Sequence, residues 1–308
     1  MTPHAPRCSD ASLTAGEPLF GTATEDTDVW VLLEVEGRWE AKAFEGWSEP
    51  ADTAGGRAVD KTPFERFLAA NPRVRLQLIR RGDPDVAQTL STRGRHLFVC
   101  SSADRPHGRV LRFERGSDLD TVDLDGMLAG RVGEPVTEPM VLVCTHGRRD
   151  PCCARYGPPF HRAAAAAAPG RVWQTSHMGG HRFAPTVLCL PFGNQYGRVP
   201  VEHAAALVRA NEQGLLHDLH DYRGRTCFDP PTQAAEILLR QELRELRQDA
   251  LRLVSSDKIG TDRFRRTFAA GEALHVVEVT RRVGLVPVPG SCGKPGGDPA
   301  THYDRVVR

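Results

Sequence analysis

Three cysteines and two histidines lie close together in the middle of the sequence, and both residue types bind soft or borderline metal ions. Cys144 ends an apolar segment, the pair Cys152 and Cys153 follows after a short polar stretch, and His177 and His181 come after the next apolar segment. Thiolates and imidazoles are ligands of zinc and of iron–sulfur clusters. The pattern therefore predicts a metal site built from Cys144, one of the two adjacent cysteines, and both histidines.

Two metals suit such a donor set. Structural zinc sites usually pair cysteines separated by about two to four residues, and the gap from Cys144 to Cys152 or Cys153 is wider. A two-iron two-sulfur (2Fe-2S) cluster is larger, so its ligands can come from a longer loop. Rieske centres replace two thiolates by imidazoles, but they use two Cys-His loops, and the order here is Cys, Cys, His, His. The spacing favours a 2Fe-2S cluster, with a Cys2His2 zinc-stabilised interaction module as the alternative.

The neighbouring sequence predicts the elements that would position these residues. Residues 140–144 read as a strand, which puts Cys144 at the edge of a sheet. Asp150 is a good N-cap and Pro151 suits the first helical position, so the adjacent cysteines fall in a first turn that favours thiolate. The Gly-Pro-Pro stretch at 157–159 predicts an interruption of the helix over 151–168. Between the histidines, two consecutive glycines favour a tight loop.

Other candidate residues near this segment have simpler interpretations. His146 and His161 are interpreted as hydrogen-bonded core residues, and Cys292 as a thiol without a ligand role. Four arginines close to the predicted ligands could dock an acidic redox partner, although exposed arginines are common: Arg148, Arg149, Arg155 and Arg182.

Composition limits the classes of function. The 308 residues are long for a single core. A net charge of +1, from 40 basic and 39 acidic residues, excludes a general nucleic-acid binder. No stretch approaches the roughly 20 apolar residues that cross a bilayer, and the start lacks the apolar core of a signal peptide, so we expect a soluble, cytoplasmic protein without a membrane partner. Eight cysteines in such a protein favour free thiols, metal ligands or redox chemistry over a disulfide scaffold.

The order of predicted elements indicates an α/β protein with two similar halves. Each half reads βαβ followed by ββα, the order of the thioredoxin-like fold. The predicted domains are 1–137, a thioredoxin-like domain without metal, and 138–222, a thioredoxin-like ferredoxin domain. Residues 223–308 are predicted to be an appendage, with one amphipathic helix over 230–254 and a small sheet. The first half is expected to lack a metal because residues 34–37 offer no cysteine at the corresponding strand end.

Four sequence segments resemble the sucrase/ferredoxin-like family. They are CTHGRRDPCC at 144–153, SHMGGHRFAPT at 176–186, CSDASL at 8–13 and GTA at 21–23. The resemblance extends over most of the chain up to about Asp221. It implies a thioredoxin-like ferredoxin domain that coordinates a 2Fe-2S cluster through two cysteines and two histidines.

Carried over residue by residue, the resemblance assigns the ligands to Cys144, Cys153, His177 and His181, with Cys152 as the alternative to Cys153. We therefore expect an electron-transfer protein that serves an unidentified redox partner protein and couples electron uptake to proton uptake at its histidines. A thiol- or cluster-dependent redox enzyme is the other alternative, and it would need a substrate pocket. No carboxylate pair is positioned for glycoside hydrolysis, and no P-loop or GxGxxG motif is present.

Overall fold

The computed structural model describes residues 7–48, 59–81, 94–294 and 296–306. The α-helices are α1 Cys8–Thr14, α2 Thr62–Ala70, α3 Leu124–Leu128, α4 Pro151–Ala167, α5 Ala204–Glu212 and α6 Pro230–Leu243. The strands are β1 Val29–Glu34, β2 Val74–Arg80, β3 Arg95–Ser101, β4 His107–Phe113, β5 Glu134–Pro135, β6 Met140–Cys144, β7 Val172–Thr175, β8 Thr186–Leu190, β9 Asn194–Gly197, β10 Tyr222–Arg225, β11 Arg252–Lys258, β12 Arg263–Ala270, β13 Ala273–Val288 and β14 Asp298–Arg305. Residues 1–6 belong to the segment predicted to lack the apolar core of a signal peptide. They lie outside the described residues.

The ten-stranded sheet consists of two halves with the same strand order. The first half runs β2-β1-β3-β4-β5 and the second β7-β6-β8-β9-β10. In each half a helix, α2 or α4, joins two parallel strands, and the following strands are antiparallel. The halves meet where the ends of β2 and β7 pair antiparallel, with Ile79 opposite Thr175 and Arg80 opposite Gln174. The chain is therefore a mixed α/β protein whose two halves share one large sheet. The predicted repetition of element order along the chain, βαβ followed by ββα, is confirmed.

Every residue of β6 is buried, because both faces of the sheet are covered there. Val141 and Val143 pack on one face with Phe160 of α4. Leu142 and Cys144 point to the other face, where they join a core that includes Cys153. This alternation, which is a property of any strand, directs the Cys144 side chain into the interior.

Helix α4 is not interrupted, so the predicted break at Gly157-Pro158-Pro159 is wrong. The helix continues from Pro151 to Ala167. A proline inside a helix costs about 3 kcal/mol, and burial of the apolar face of α4, including Phe160 and Ala164, offsets that cost. Gly157 is required by packing, because a Cβ there would lie 2.1 Å from the carbonyl oxygen of Cys144.

The predicted helix over 230–254 is also wrong at its carboxyl end. Helix α6 stops at Leu243, and Arg244 adopts a left-handed conformation with φ 52°. The buried guanidinium of Arg240 pairs with Glu236 at 2.9 Å and donates to the carbonyl oxygens of Glu245, Arg247 and Gln248. These hydrogen bonds stabilise the turn in which the chain reverses direction after α6. The spacing of the leucines, on which the longer helix was predicted, contains no information about them.

The second sheet has the order β11-β12-β13-β14, as predicted for a small C-terminal sheet, and it packs against α6. The predicted boundary at 222/223 falls within β10, which completes the large sheet. Within the described parts of the chain, no helix combines the length and the apolar character needed to cross a bilayer.

Candidate metal centre

The predicted ligands collect where β6 and β7 end. These strands are parallel neighbours, so their carboxyl ends lie at the same edge of the sheet. Cys144 is the last residue of β6, and His177 follows closely after β7. The Asp150 side chain caps α4, as predicted, by accepting a hydrogen bond of 2.8 Å from the backbone N–H of Cys152. The cap fixes the first turn of α4, which carries Cys153, beside the end of β6.

Three predicted ligands form one compact group. The ligand atoms of Cys144, Cys153 and His177 all lie within 4.8 Å of one another. Both cysteines are buried, whereas His177 is partly accessible. The hydrogen bond from Cys153 lowers the pKa of Cys144 well below its ordinary value, and a hydrogen bond with His177 adds to that shift. The same hydrogen bond to Cys144, together with burial, raises the pKa of Cys153. One thiolate therefore forms readily in this pair, and the second is expected to form when a cation compensates its charge.

The loop that carries the histidines depends on two glycines with positive φ. Gly179 has φ +96° and Gly180 has φ +71°, and a Cβ on Gly180 would lie 2.4 Å from Nη2 of Arg223. His146 supports the same loop, because its Nδ1 accepts the backbone N–H of His177 at 3.2 Å while its Nε2 lies 2.8 Å from the Glu40 carbonyl oxygen. The structural interpretation of His146 is thereby confirmed, with a positioning contact that the sequence did not indicate.

His181 lies beside the three-residue group but is not part of it. Its ring centroid is 4.9 Å from that of His177. Its Nδ1 is 3.1 Å from Oδ2 of the fully buried Asp150. Burial lowers the pKa of His181 to about 4, so the imidazole is neutral near pH 7. A neutral imidazole that donates Nδ1–H to a carboxylate leaves Nε2 as its free electron pair, which is the form that binds a metal.

The donor chemistry of this region fits a metal or cluster that prefers sulfur and nitrogen. Two buried thiols and two imidazoles surround the site, and no carboxylate belongs to the three-residue group. Nδ1 of His177 is buried and has no hydrogen-bond partner among the described residues. A buried ring nitrogen without a partner is costly unless something else satisfies it. The residues present are thus those that a bound metal group would need.

Cys152 belongs to a different group from Cys153. Its side chain lies with Cys8 and Cys292 in a buried to half-buried cluster, here called the tri-thiol cluster. The Sγ distances are 3.6 Å from Cys8 to Cys152, 3.4 Å from Cys152 to Cys292 and 3.5 Å from Cys292 to Cys8. The hydrogen bond from Cys8 lowers the pKa of Cys152 to about 6. Asp150 completes the group, with its ligand atom within 4.8 Å of the others.

The sequence did not predict the tri-thiol cluster, and it led to the interpretation of Cys292 as a thiol without a ligand role. Cys8 and Cys292 are 284 positions apart, and neither lies near Cys152 in the chain. No motif of fixed spacing can report such a contact. The available signal was the cysteine count together with the position of Cys292 in a glycine-rich loop.

Two of the four arginines considered for docking are neutralised within the protein. Arg148 pairs with Glu40, and Arg182 forms a two-point ion pair with the buried Glu17 at 2.8 and 2.9 Å. Their charge is therefore less available to an acidic partner than the sequence suggested.

A large cavity of about 830 Å³ lies beside the histidine loop. Gly179, Gly180 and His181 line one part of it, and cationic side chains line much of the remainder: Arg75, Arg149, Arg182, Arg223, Arg281 and Lys294. Arg223 is 2% exposed, and its Nη1 has no hydrogen-bond partner among the described residues. Burial lowers the pKa of Arg223 to about 9. Three carboxylates, Glu17, Glu25 and Asp298, line the cavity as well, and Arg182 and Arg281 are paired with Glu17 and Asp262. The remaining excess of cationic side chains favours an anion.

Comparison with known proteins gives one informative result. Neither the curated proteins nor the solved structures include a match to this chain. A family model described as sucrase/ferredoxin-like matches residues 19–224, which is well over half of the chain and includes every predicted ligand. The chain therefore belongs to the sucrase/ferredoxin-like family.

Proposed function

We propose that the protein transfers electrons through a 2Fe-2S cluster bound by Cys144, Cys153, His177 and His181. The observation that carries the proposal is the convergence of two buried thiols and two imidazoles where β6 and β7 end. Membership of a family described as ferredoxin-like supports a redox role. When bound, such a cluster supplies one-electron oxidation and reduction.

Cys153, rather than Cys152, is proposed as the second thiolate. Adjacent residues in the first turn of a helix point in different directions, and only Cys153 shares a group with Cys144 and His177. Cys152 points toward Cys8 and Cys292 instead. The sequence alone left this choice open.

Asp150 is proposed to orient His181. Its carboxylate lies 3.1 Å from Nδ1, and ligand histidines commonly donate their second ring nitrogen to a carboxylate. This contact fixes the ring and selects Nε2 for binding. The partly accessible His177 has no comparable carboxylate contact among the described residues.

The position of His181 favours a cluster over a single zinc ion, because it is not part of the group whose ligand atoms all lie within 4.8 Å of one another. Four ligands of one tetrahedral zinc must approach one another closely, since each bond is only about 2.0–2.3 Å long. Here Cys144, Cys153 and His177 form the close group, and His181 is set apart from it against Asp150. A cluster with two irons spans this wider set. Two thiolates and two neutral imidazoles also leave the oxidised cluster with a formal charge of about zero, so adding an electron costs less than in a four-thiolate site.

We further propose that each half of the large sheet is thioredoxin-like and that the second half is the ferredoxin domain. The strand orders β2-β1-β3-β4 and β7-β6-β8-β9, each with one parallel pair and a crossover helix, support this assignment. The cytoplasm remains the proposed location, and the redox partner remains a protein still to be identified.

The experiment that tests the proposal is metal and sulfide analysis of protein produced with adequate iron. We expect about two iron and two acid-labile sulfide per chain, together with the visible absorption of a 2Fe-2S cluster. Zinc at the Cys144 site, without sulfide, would instead support the interaction-module alternative.

The cationic cavity favours a second candidate, a redox enzyme that acts on an anionic substrate beside His181. Titration of the iron-loaded protein with sulfate, as a simple anion, distinguishes the two functions at this site. An enzyme site should respond with a saturable shift in the visible spectrum that Arg281→Glu weakens. A carrier without a substrate pocket should not respond.

A further inference from the structure

We propose that Cys8, Cys152 and Cys292, together with Asp150, form a second metal site that binds a thiophilic divalent ion such as Zn²⁺. None of these four residues is a proposed cluster ligand, but the site adjoins one, because Sγ of Cys8 and Oδ2 of Asp150 lie 3.5 and 3.1 Å from Nδ1 of His181. Cys8 and Cys292 also lie outside residues 19–224, the part of the chain that matches the family.

The three sulfur atoms have nearly the spacing that a tetrahedral metal ion requires. A tetrahedral zinc ion with Zn–S bonds of about 2.3 Å holds its sulfur atoms about 3.8 Å apart. The three Sγ–Sγ distances are 3.6, 3.4 and 3.5 Å, so the sulfurs already form a nearly equilateral triangle of about the required size. A shift of a few tenths of an ångström would accommodate the ion. Scattered buried thiols have no reason to adopt such a triangle.

The fourth donor is already in place. Asp150 is fully buried, and its ligand atom lies within 4.8 Å of all three thiols. Oδ2 accepts hydrogen bonds from the backbone N–H of Cys292 at 2.9 Å and from Oγ of Ser291 at 3.2 Å, and it lies 3.1 Å from Nδ1 of His181. Among the described residues, Oδ1 accepts the backbone N–H of Cys152 at 2.8 Å and the thiol of Cys8 at 3.8 Å. Because the thiol proton of Cys8 would leave when a metal binds, Oδ1 would then have a lone pair for the ion.

Metal binding balances chemically without an oxidant. As the ion binds, the thiols release their remaining protons to solvent, and its two positive charges offset half of the four negative charges of three thiolates and one carboxylate. A disulfide, by contrast, would require an oxidant, would join two of the sulfurs and would leave the third unpaired. The odd number of nearly equidistant thiols therefore favours a metal.

The site would connect three distant parts of the chain. Cys8 begins α1, Cys152 lies in the first turn of α4, and Cys292 lies in the turn between β13 and β14. An ion at their junction would fasten the described N-terminal helix and the C-terminal turn to the edge of the large sheet. Asp150 would then serve both sites, as a ligand of the ion and as the partner of His181.

The test is elemental analysis of the untagged full-length protein purified with both zinc and iron available. We expect about one zinc per chain in addition to the iron and sulfide. Cys292→Ser should lower the zinc content at least about tenfold while preserving the iron and the visible spectrum. Cys144→Ser should do the reverse, because it removes a ligand of the other site. Cys227→Ser, a half-buried cysteine outside both groups, is the matched control and should change neither content.

A second measurement uses only the wild-type protein, so that its result does not depend on whether a variant folds. In the wild-type protein, a zinc chelator should release the ion, make Cys8 and Cys292 reactive to a thiol reagent, and leave the cluster spectrum unchanged. Wild-type protein with no zinc or other divalent ion, or with a disulfide among the three cysteines, would overturn the proposal. So would zinc that persists in Cys292→Ser but disappears in Cys144→Ser, since that ion would occupy the Cys144 site.

Discussion

The two halves of the large sheet have the same strand order but different chemistry at corresponding strand ends. In the second half, β6 ends in Cys144, which meets Cys153 and His177. In the first half, β1 ends in Glu34, which pairs with His96 at 2.8 Å and lies 3.3 Å from Arg81. An ion-paired carboxylate thus stands where the other half presents a thiol. A shared backbone arrangement supplies the position, and the residue at the strand end decides its use.

The first half nevertheless supports the site of the second. Thr24 donates a hydrogen bond of 2.6 Å to the carbonyl oxygen of Met178, inside the histidine loop. Gln77 accepts the hydroxyl of Ser176 at 2.8 Å, and the Glu40 carbonyl holds His146. The expectation that the first half has no metal group of its own stays a prediction. Among its described residues only Cys8 belongs to a potential metal group, and that group lies against α4.

The largest expected difference between the halves is in iron and sulfide content after a buried cysteine of each half is replaced by serine. Cys144→Ser should remove nearly all iron and sulfide, because a serine hydroxyl is a much poorer iron ligand than a thiolate. Cys100→Ser, a fully buried thiol of β3 in the first half, should keep both. Iron, sulfide and circular dichroism measured on both variants check the comparison. Equal loss of iron in two folded variants would contradict a site confined to the second half.

A smaller effect is expected from alanine at matched glycines. Gly37 and Gly180 both have positive φ, so alanine costs each about 1–2 kcal/mol of backbone strain. At Gly37 the Cβ meets open space, whereas at Gly180 it would lie 2.4 Å from Nη2 of Arg223. Gly180→Ala should therefore lower the free energy of unfolding more than Gly37→Ala and should also reduce iron content. Denaturant unfolding and iron analysis of both variants measure the difference.

Changing a histidine ligand to cysteine should retain a cluster and lower its reduction potential. Thiolate donates more negative charge than imidazole, so His177→Cys or His181→Cys should shift the midpoint by on the order of 100 mV or more toward plant-type ferredoxins. His96→Gln, in the first half, should leave the potential unchanged. A redox titration followed in the visible spectrum measures this. If both cysteine variants kept the wild-type potential, the assignment of the histidines would be wrong.

The smallest expected effect is a dependence of the midpoint potential on pH. Reduction adds negative charge beside the imidazoles and favours their protonated forms, so the potential should fall as pH rises. His181 is buried against Asp150, while His177 is partly accessible, so His177→Cys should remove more of the dependence than His181→Cys. Redox titrations at a series of pH values check the order. A wild-type midpoint that is constant from mildly acid to alkaline pH would exclude proton coupling and leave electron transfer unaffected.

Local signals were reliable where short-range physics decides the structure. The strand ending in Cys144, the cap at Asp150 and the glycine loop at Gly179 and Gly180 all occur as the sequence predicted. Apolar alternation, hydrogen bonding by a capping carboxylate and the freedom of glycine act over a few residues. They were sufficient to bring the candidate ligands to one edge of the sheet.

The two wrong predictions, a break in α4 and a longer α6, have the same cause: contacts between residues that are distant in the sequence. Helix α4 continues through Pro158 and Pro159 because its far face is buried against β6, and α6 ends early because Arg240 captures the returning chain. Neither contact is visible in local periodicity. The repeated order of elements along the chain was predicted, but the pairing of β2 with β7 that joins the two halves was not.

The sequence by itself determined the type of donor set and its neighbourhood, because thiols and imidazoles at strand and helix ends act through local geometry. Only the tertiary structure separated Cys153 from Cys152, since the turn of α4 sends adjacent side chains to different neighbours. Only the tertiary structure brought Cys8 and Cys292 to Cys152, across 144 and 140 positions. Packing around the buried Asp150 makes those contacts, and the free energy of that packing comes from the whole fold rather than from any short segment.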